Sequence, residues 1–381
     1  MKVAVIGAGP AGLYFSYLLK TRQPAARIRV FEQNPADATF GFGVVFSDRA
    51  LEFLRHDDPV THALIGPRLE SWSDITLDLE GEIVRIDGVG FSAIGRLELL
   101  RLLTSRAASA GIDVEHERRI GSLAELAEAD LVIGADGVNS LVRDSAAVEF
   151  GSSVSYWSNK FIWYGTTRRF DTLTQTFRSN EHGAFNAHHY RYSAGASTFI
   201  IETNARTWER AGFADMEPEQ TRAYCERVFA DVLEGRRLIS NKSIWRSFPQ
   251  VGNVRWSAGN KVLLGDALHT AHFSIGSGTR LAMEDAIALV DALLAFPADI
   301  RAAFDLYERS RRPVLEKLVA AASASAAWYE DFAEHMRLPA LDFGMSYLTR
   351  SGRVDPHRLR AVSPRFAAAY AARGTAAPRQ G

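Results

Sequence analysis

The sequence predicts an α/β fold: a Rossmann-like nucleotide-binding domain assembled from separate stretches of chain, an antiparallel β-sheet domain inserted into it, and helices at the C-terminal end. That expectation rests on three features. A glycine-punctuated strand, turn and helix opens the chain as Val3-Ala4-Val5-Ile6-Gly7-Ala8-Gly9-Pro10-Ala11-Gly12. Apolar runs ending in glycine and aspartate recur at Gly134-Ala135-Asp136-Gly137 and Leu264-Gly265-Asp266. Between them, over residues 151–254, the composition turns to short aromatic and β-branched stretches that fit half-buried strands.

Taken in order, residues 2–6 read as a short buried strand and 11–20 as a helix with an apolar face of Leu13, Tyr17 and Leu18. Gly7 allows the tight turn between them, Gly9 lets a pyrophosphate approach the backbone, and Gly12, beside Ala11, lets helix and strand pack closely. Phosphates then sit at the helix N-terminus, where unpaired N–H groups and the helix dipole favour anions. A second strand over 28–31 ends at Glu32, twenty positions after Gly12. Its carboxylate can accept hydrogen bonds from the 2′ and 3′ hydroxyls of an adenosine ribose and would repel a 2′-phosphate. An amphipathic helix begins at Gly95-Arg96-Leu97-Glu98-Leu99, a strand over 130–133 leads to the Gly134 turn, and a strand over 261–264 is followed by a long helix over 281–294. The nucleotide-binding domain is therefore expected at 1–70, 96–150 and 255–300, the substrate-binding β-sheet domain at 71–95 and 151–254, and helices and tail at 301–381. No internal repeat is present, and the Ala/Arg-rich end after about Arg350 is expected to finish in disorder.

Composition narrows the classes of function. With 381 residues, 47% of them hydrophobic, the chain can bury two cores. A net charge of −1 gives no case for a nucleic-acid partner. Cys225 is the only cysteine, which excludes disulfides within the chain and cysteine-based metal centres and suits a reducing cytoplasm. No apolar run reaches membrane-spanning length and no signal peptide is expected, so the reading is cytoplasmic, without a membrane partner, as a monomer or homodimer. His269 and His272 lie three apart without a third ligand at suitable spacing, so no metal site is expected.

Three glycine-bearing segments in this order would enclose a whole dinucleotide and point to FAD. With Asp136-Gly137-Val138-Asn139-Ser140-Leu141-Val142-Arg143 between the outer two, the chain, to about residue 330, resembles the single-component flavoprotein aromatic hydroxylases of the p-hydroxybenzoate hydroxylase type. Within that family, Asn159-Lys160-Phe161-Ile162-Trp163-Tyr164-Gly165-Thr166 and His272-Phe273-Ser274-Ile275-Gly276-Ser277-Gly278-Thr279 resemble the branch holding salicylyl-CoA 5-hydroxylase, 2-aminobenzoyl-CoA monooxygenase/reductase and a tryptophan hydroxylase of violacein assembly. The resemblance implies non-covalent FAD, NAD(P)H as a transient co-substrate, O2, and hydroxylation through a flavin C4a-hydroperoxide. For the ring it implies salicylyl-CoA, converted at C5 to gentisyl-CoA, with 2-aminobenzoyl-CoA or a tryptophan-derived indole as alternatives. A flavin dehydrogenase or oxidase, or a flavin-fold carrier without chemistry, would be the different class.

The resemblance also assigns residues. Asp266 follows a strand, so its carboxylate can reach the ribityl chain, with Gly265 in the same turn; Gly276 and Gly278 let the chain pass against the flavin, with Thr279 next to them. The helix that follows aims its N-terminus at the flavin edge where negative charge accumulates on reduction. Arg280 stands where the family pattern has Asn. Arg96 matches an arginine that contacts the cofactor, and Gly41-Phe42-Gly43-Val44-Val45 matches the flexible stretch along which the flavin ring slides. Asp136 and Arg143 match the middle fingerprint.

The pocket is expected from the inserted sheet, with Trp163, Phe185, His188, His189, Tyr190 and Tyr192, although for any one aromatic there core packing is the commoner role. Alternation puts His188, Tyr190 and Tyr192 on one face and His189 on the other. An electrophilic oxygen needs an electron-rich ring, and a phenol directs attack to its own para carbon. His188 or Tyr190 is the candidate base that removes the phenol proton, and His272 and Phe273 are candidate pocket residues. Coenzyme A phosphates would call for arginines, for which Arg168-Arg169, Arg236-Arg237, Arg311-Arg312 and the tail arginines from Arg350 to Arg379 are candidates.

Overall fold

The computed structural model describes residues 1–47 and 50–373; Arg379 and the end expected to be disordered lie outside these. Six strands form one sheet in the order Ser257–Ala258, Lys261–Leu263, Leu131–Gly134, Lys2–Ile6, Arg27–Phe31, Val114–Glu115, parallel except for the first pair. The strands that carry the three glycine turns are therefore neighbours, and their C-terminal ends open at one edge. The helix Pro10–Arg22 is buried without a break from Ala11 to Leu19, a wider burial than the stripe of Leu13, Tyr17 and Leu18. It packs against the helices Gly278–Ala295 and Arg96–Ser109 as well as the sheet, so it is apolar on nearly every side. At Gly12 it approaches the first turn so closely that a Cβ would lie 2.0 Å from the Gly7 carbonyl oxygen.

A second, eight-stranded sheet runs in the order Leu238–Ser240, Ser152–Thr166, Ala196–Thr203, Gly183–Ser193, Leu173–Asn180, Ile75–Leu79, Glu82–Ile86, with Arg246–Asn253 also paired to Ser152–Thr166. It is mixed rather than wholly antiparallel: Leu173–Asn180 pairs parallel with Ile75–Leu79, two strands separated by a long crossover that passes through the nucleotide-binding segment 96–150 instead of a hairpin. Gly43–Ser47, Phe91–Gly95 and Glu70–Trp72 make a small antiparallel sheet of their own. Alternation along Gly183–Ser193 sends His189 toward Phe170 and Phe199, while His188 meets Phe273 and Tyr329 on the opposite face.

The long helix Ile300–Glu330 packs on Gly278–Ala295, and Ala340–Thr349 then covers the strand Glu82–Ile86. Trp328, Tyr329, Phe332, Phe343 and Tyr347 join Leu77, Phe177 and Tyr190 in one core. C-terminal chain thus walls the face of the large sheet that carries His188. Among the described residues no helix is long and apolar enough to cross a membrane.

Candidate active site

A cavity of about 300 Å³ lies where the parallel sheet, the large sheet and the C-terminal helices meet. All three glycine turns reach it, through Gly9, Pro10 and Ala11, through Ala135 and Gly137, and through Gly265, Asp266 and Gly276 to Thr279. Gly43, Val44 and Arg96 line it from the small sheet and the helix after it; His188, Tyr190 and Phe273 line it from the substrate side.

Five predicted site residues stand behind this surface. Gly7 and Gly12 shape the turn by close approach: a Cβ on Gly7 would lie 2.3 Å from the Ala135 carbonyl oxygen, and Gly7 itself has φ of +100°. Glu32 accepts from the backbone N–H of Ala8 at 3.0 Å and from the N–H and side-chain amide of Asn34 at 2.9 and 2.7 Å. It fixes the turn and keeps lone-pair capacity for a hydroxyl donor. Asp136 accepts from the Ser140 hydroxyl at 2.5 Å and the Val142 N–H at 3.2 Å, so its carboxylate turns into the protein and caps the short helix after it. Arg143, from the same fingerprint, is buried; besides an ion pair with exposed Asp144 at 3.2 Å it donates to the Val138 carbonyl at 2.7 Å and approaches that of Ala267, tying the middle turn to the third. His272 is buried, with Nδ1 2.9 Å from Ser274 Oγ, and burial pushes its imidazole down to about 4.

The chemistry of the donors fits FAD. Gly9 precedes the first helix with no side-chain cap, and Ser277 precedes Gly278–Ala295 with none either, its hydroxyl going to the Ile275 carbonyl instead. Both helices therefore present uncapped N–H groups to the cavity. A Cβ added at Gly9 or Gly278 would meet nothing within 4 Å, so the space before each is open to a ligand. Arg96 and Asp266 line the same cavity, and neither side chain makes a hydrogen bond or ion pair among the described residues. Crowding by protein lowers the Arg96 guanidinium, and it raises the Asp266 carboxyl against the pull of His269 and Arg96. A free cation, a free carboxylate and two helix N-termini are the groups that a ribityl diphosphate would satisfy. His269, the residue of the metal question, instead lies 2.7 Å from buried Asp285, which Arg311 also holds at 2.8 Å. Among the described residues no group of three or more His, Cys, Asp or Glu could hold a metal ion.

Gly43 and Val44 belong to a strand rather than a loose stretch: the Gly43 N–H donates to Thr198 Oγ1 at 2.9 Å and its carbonyl accepts from the Tyr190 hydroxyl at 3.1 Å. That bond decides between the two candidate bases. Tyr190 spends its proton on the backbone, and burial raises its pKa further. His188 is different. Its Nε2 lies 3.1 Å from Glu202 Oε2, and Glu202 Oε1 accepts from Asn159 Nδ2 at 2.9 Å, all three side chains being buried. Burial holds the His188 imidazole below its usual value near 6.5. For Glu202, burial is outweighed by the hydrogen bond from His188, the pull of His272 and the amide of Asn159, so its carboxyl is held low. The pair is a neutral imidazole donating Nε2–H to a carboxylate, which leaves Nδ1 as the basic nitrogen of a ring in the cavity wall.

Glu202 and Asn159 were not singled out from sequence. A glutamate closing the apolar strand Ser197-Thr198-Phe199-Ile200-Ile201-Glu202 is the signal that could have found the first, since a buried carboxylate demands a donor. Gln175, Phe248 and Tyr347 also line the cavity, from segments without a motif.

The comparisons with known proteins agree with this geometry. The family model for an FAD binding domain matches residues 124–322. Over 361 residues the chain is 43% identical to salicyloyl-CoA 5-hydroxylase of a Streptomyces species, covering 92% of this chain and 70% of that one. It is 36% identical over 330 residues to 3-hydroxy-4-methyl-anthranilyl-[aryl-carrier protein] 5-monooxygenase of Streptosporangium sibiricum, covering 86% and 89%. Crystal structures of 2-methyl-3-hydroxypyridine-5-carboxylic acid oxygenase share the fold, with a TM-score of 0.70 at 18% identity over 94% of this chain and 97% of that one. The protein is an enzyme with FAD as its cofactor, and the chain belongs to the FAD-binding family of flavin-dependent aromatic monooxygenases.

Proposed function

We propose that the enzyme hydroxylates salicylyl-CoA at C5, giving gentisyl-CoA, with NAD(P)H as reductant and O2 as oxidant. One observation carries the reading: a neutral, carboxylate-oriented His188 stands in the wall of the cavity that the three glycine turns line. When bound, FAD supplies the reduction by NAD(P)H and the activation of oxygen; the protein's own groups govern the ring. His188 Nδ1 takes the phenol proton, and electron density then rises at the para carbon, which is C5 of a salicyl ring. Glu202, held by Asn159, fixes the tautomer and stabilises the imidazolium that forms. Phe273 and Phe248 provide apolar walls that exclude water, and the Gln175 amide, which accepts from Tyr329 at 3.2 Å, keeps donors for the substrate carbonyl.

Gly9, Ala11, Gly43, Val44, Arg96, Gly265, Asp266, Gly276, Gly278 and Thr279 would contact FAD, Glu32 would take the adenosine ribose, and Gly7, Gly12 and Asp136 would act by shaping the turns. The domain division 1–70, 96–150 and 255–300 against 71–95 and 151–254 follows from that assignment, with 301–381 closing the substrate side. Similarity to the salicyloyl-CoA hydroxylase supports the choice of ring, and similarity to the anthranilyl enzyme favours a 2-aminobenzoyl thioester as the second reading. The test is product analysis after incubating holoenzyme, NAD(P)H and O2 with salicylyl-CoA, 2-aminobenzoyl-CoA, salicylate and tryptophan. A gain of one oxygen at C5 of the first is expected. Reduction of oxygen without a hydroxylated thioester would overturn the reading.

A further inference from the structure

Positive charge gathers where the cavity wall meets the C-terminal helices. Tyr347 and Ser274 both line the cavity. Arg350, just past the helix Ala340–Thr349, lies over the Tyr347 ring at 3.7 Å and donates to three neutral oxygens. These are the carbonyl of Tyr347 at 2.6 Å, Ser325 Oγ at 3.0 Å and the carbonyl of Ser274 at 3.1 Å. It is locked in place with no carboxylate in contact among the described residues. Arg280 directly follows cavity-lining Thr279; its partner Glu284, at 2.7 Å, is shared with buried Arg311, also at 2.7 Å. Arg353 is exposed and makes no hydrogen bond or ion pair among the described residues. Besides partial burial, the groups acting on it are Arg280 and Arg350, which push its guanidinium downward. Arg353 thus lies within electrostatic reach of Arg280 and Arg350 behind the wall formed by Thr279, Ser274 and Tyr347, and of the three only Arg280 has a carboxylate partner among the described residues, an arrangement suited to an anion with several charged oxygens.

Several of the arginines prominent in the sequence are held elsewhere. Arg311 is consumed by Glu284 and Asp285, Arg312 by Glu308, and Arg168 by Glu234. Arg365 is held by Asp74 and Asp87. We propose that Arg280, Arg350 and Arg353 seat the phosphate groups of coenzyme A, with the thioester arm passing Tyr347 and Ser274 into the cavity. This rests on the acyl-thioester reading above and extends it to the group that distinguishes the thioester from the free acid.

Calorimetric titration of the holoenzyme with free coenzyme A, 4′-phosphopantetheine, pantetheine and NADPH tests it, in wild type and in Arg353→Gln and Arg280→Gln. Coenzyme A should bind, each substitution should raise its Kd about tenfold, or about 1.4 kcal/mol, and pantetheine should bind equally to all three proteins. The loss on raising salt should be shallower in the variants. Unchanged coenzyme A affinity in both variants, absence of binding to wild type, or a loss confined to NADPH would overturn the site. Phosphopantetheine binding as tightly as coenzyme A would replace coenzyme A by the single phosphate of a carrier-protein arm. Because free coenzyme A lacks the salicyl ring, coenzyme A bound through these arginines without salicylyl-CoA hydroxylation would strike the proposed reaction and leave the phosphate seat standing.

Discussion

The two sides of the cavity are built from different materials. The cofactor side is mostly backbone: helix N-termini, glycine turns and close contacts such as Gly12 against the Gly7 carbonyl, with Arg96 and Asp266 as charges that have no partner among the described residues. The substrate side is side chains on long strands and C-terminal helices, where a buried imidazole and carboxylate depend on each other. On the first side shape decides, and a substitution acts through volume. On the second, protonation decides, and an isosteric change can remove function while leaving shape alone.

The largest expected effect separates two glycines three positions apart. A Cβ at Gly12 would lie 2.0 Å from a backbone oxygen, which cannot withdraw, so Gly12→Val should cost more than about 3 kcal/mol and yield little folded protein. At Gly9 the same Cβ meets nothing within 4 Å and φ is −73°, which valine tolerates. Gly9→Val should therefore melt near the wild-type apoprotein yet lose FAD affinity by about 100-fold or more, roughly 2.7 kcal/mol. Flavin-to-protein ratio by absorbance and apoprotein melting read the two apart; FAD retained by Gly9→Val would break the picture of open space as a pyrophosphate path.

On the substrate side, His188→Gln keeps volume and a hydrogen bond to Glu202 but removes the base. A drop of about 10²–10⁴ in kcat/KM for the thioester is expected, with flavin content unchanged. Glu202→Gln should cost less, about 10–100-fold, the value of a charge-assisted hydrogen bond of about 1.5–3 kcal/mol. If Glu202→Gln proves the more damaging, the carboxylate is the base and the histidine merely positions it.

A smaller effect is the position of the acid limb. Burial holds His188 below its usual value near 6.5, and the neutral ring is the active form. Activity should thus persist as pH falls through 6.5 and be lost only when the depressed imidazole gains its proton. A limb above 6.5 in kcat/KM would mean that Glu202 raises His188 more than burial lowers it, and the limb should vanish in His188→Gln.

How much was legible follows the same division. Gly7, Gly9, Gly12 and the Gly265–Thr279 stretch could be read because backbone constraints leave few residue choices at fixed spacing. The strand 2–6 and the 281–294 helix, which extends to Gly278–Ala295, followed from apolar patterning. The parallel pairing of Leu173–Asn180 with Ile75–Leu79 was not legible, since strand periodicity fixes faces and not partners. Glu202 and Asn159 lie 43 residues apart and meet only through the register of neighbouring strands. Tyr347 reaches the site from a helix whose own pattern says only that one face is buried, and Arg350 stands just past its end. Asp136 illustrates the converse: a motif position gave the residue but not the direction of its carboxylate, which Ser140 and the Val142 N–H draw inward.

The smallest expected effect concerns Tyr190, which shares a sheet face and the cavity with His188 and was an equal candidate by sequence. Its hydroxyl donates to the Gly43 carbonyl, and burial raises its pKa, so it has neither a free lone-pair role as an anion nor a proton to exchange with the ring. Tyr190→Phe removes that one hydrogen bond. Stability should fall by about 0.5–1.5 kcal/mol, and because the phenylalanine ring still fills the same wall, kcat/KM should stay within about threefold of wild type, less than 1 kcal/mol in the barrier. Steady-state turnover of the thioester beside thermal melting of the holoenzyme measures both. A hundredfold loss in kcat/KM with flavin bound and melting little changed would move the proton from His188 to Tyr190. It would also show that the Gly43 carbonyl releases the hydroxyl when the substrate arrives, which would join the two sides of the cavity through that strand.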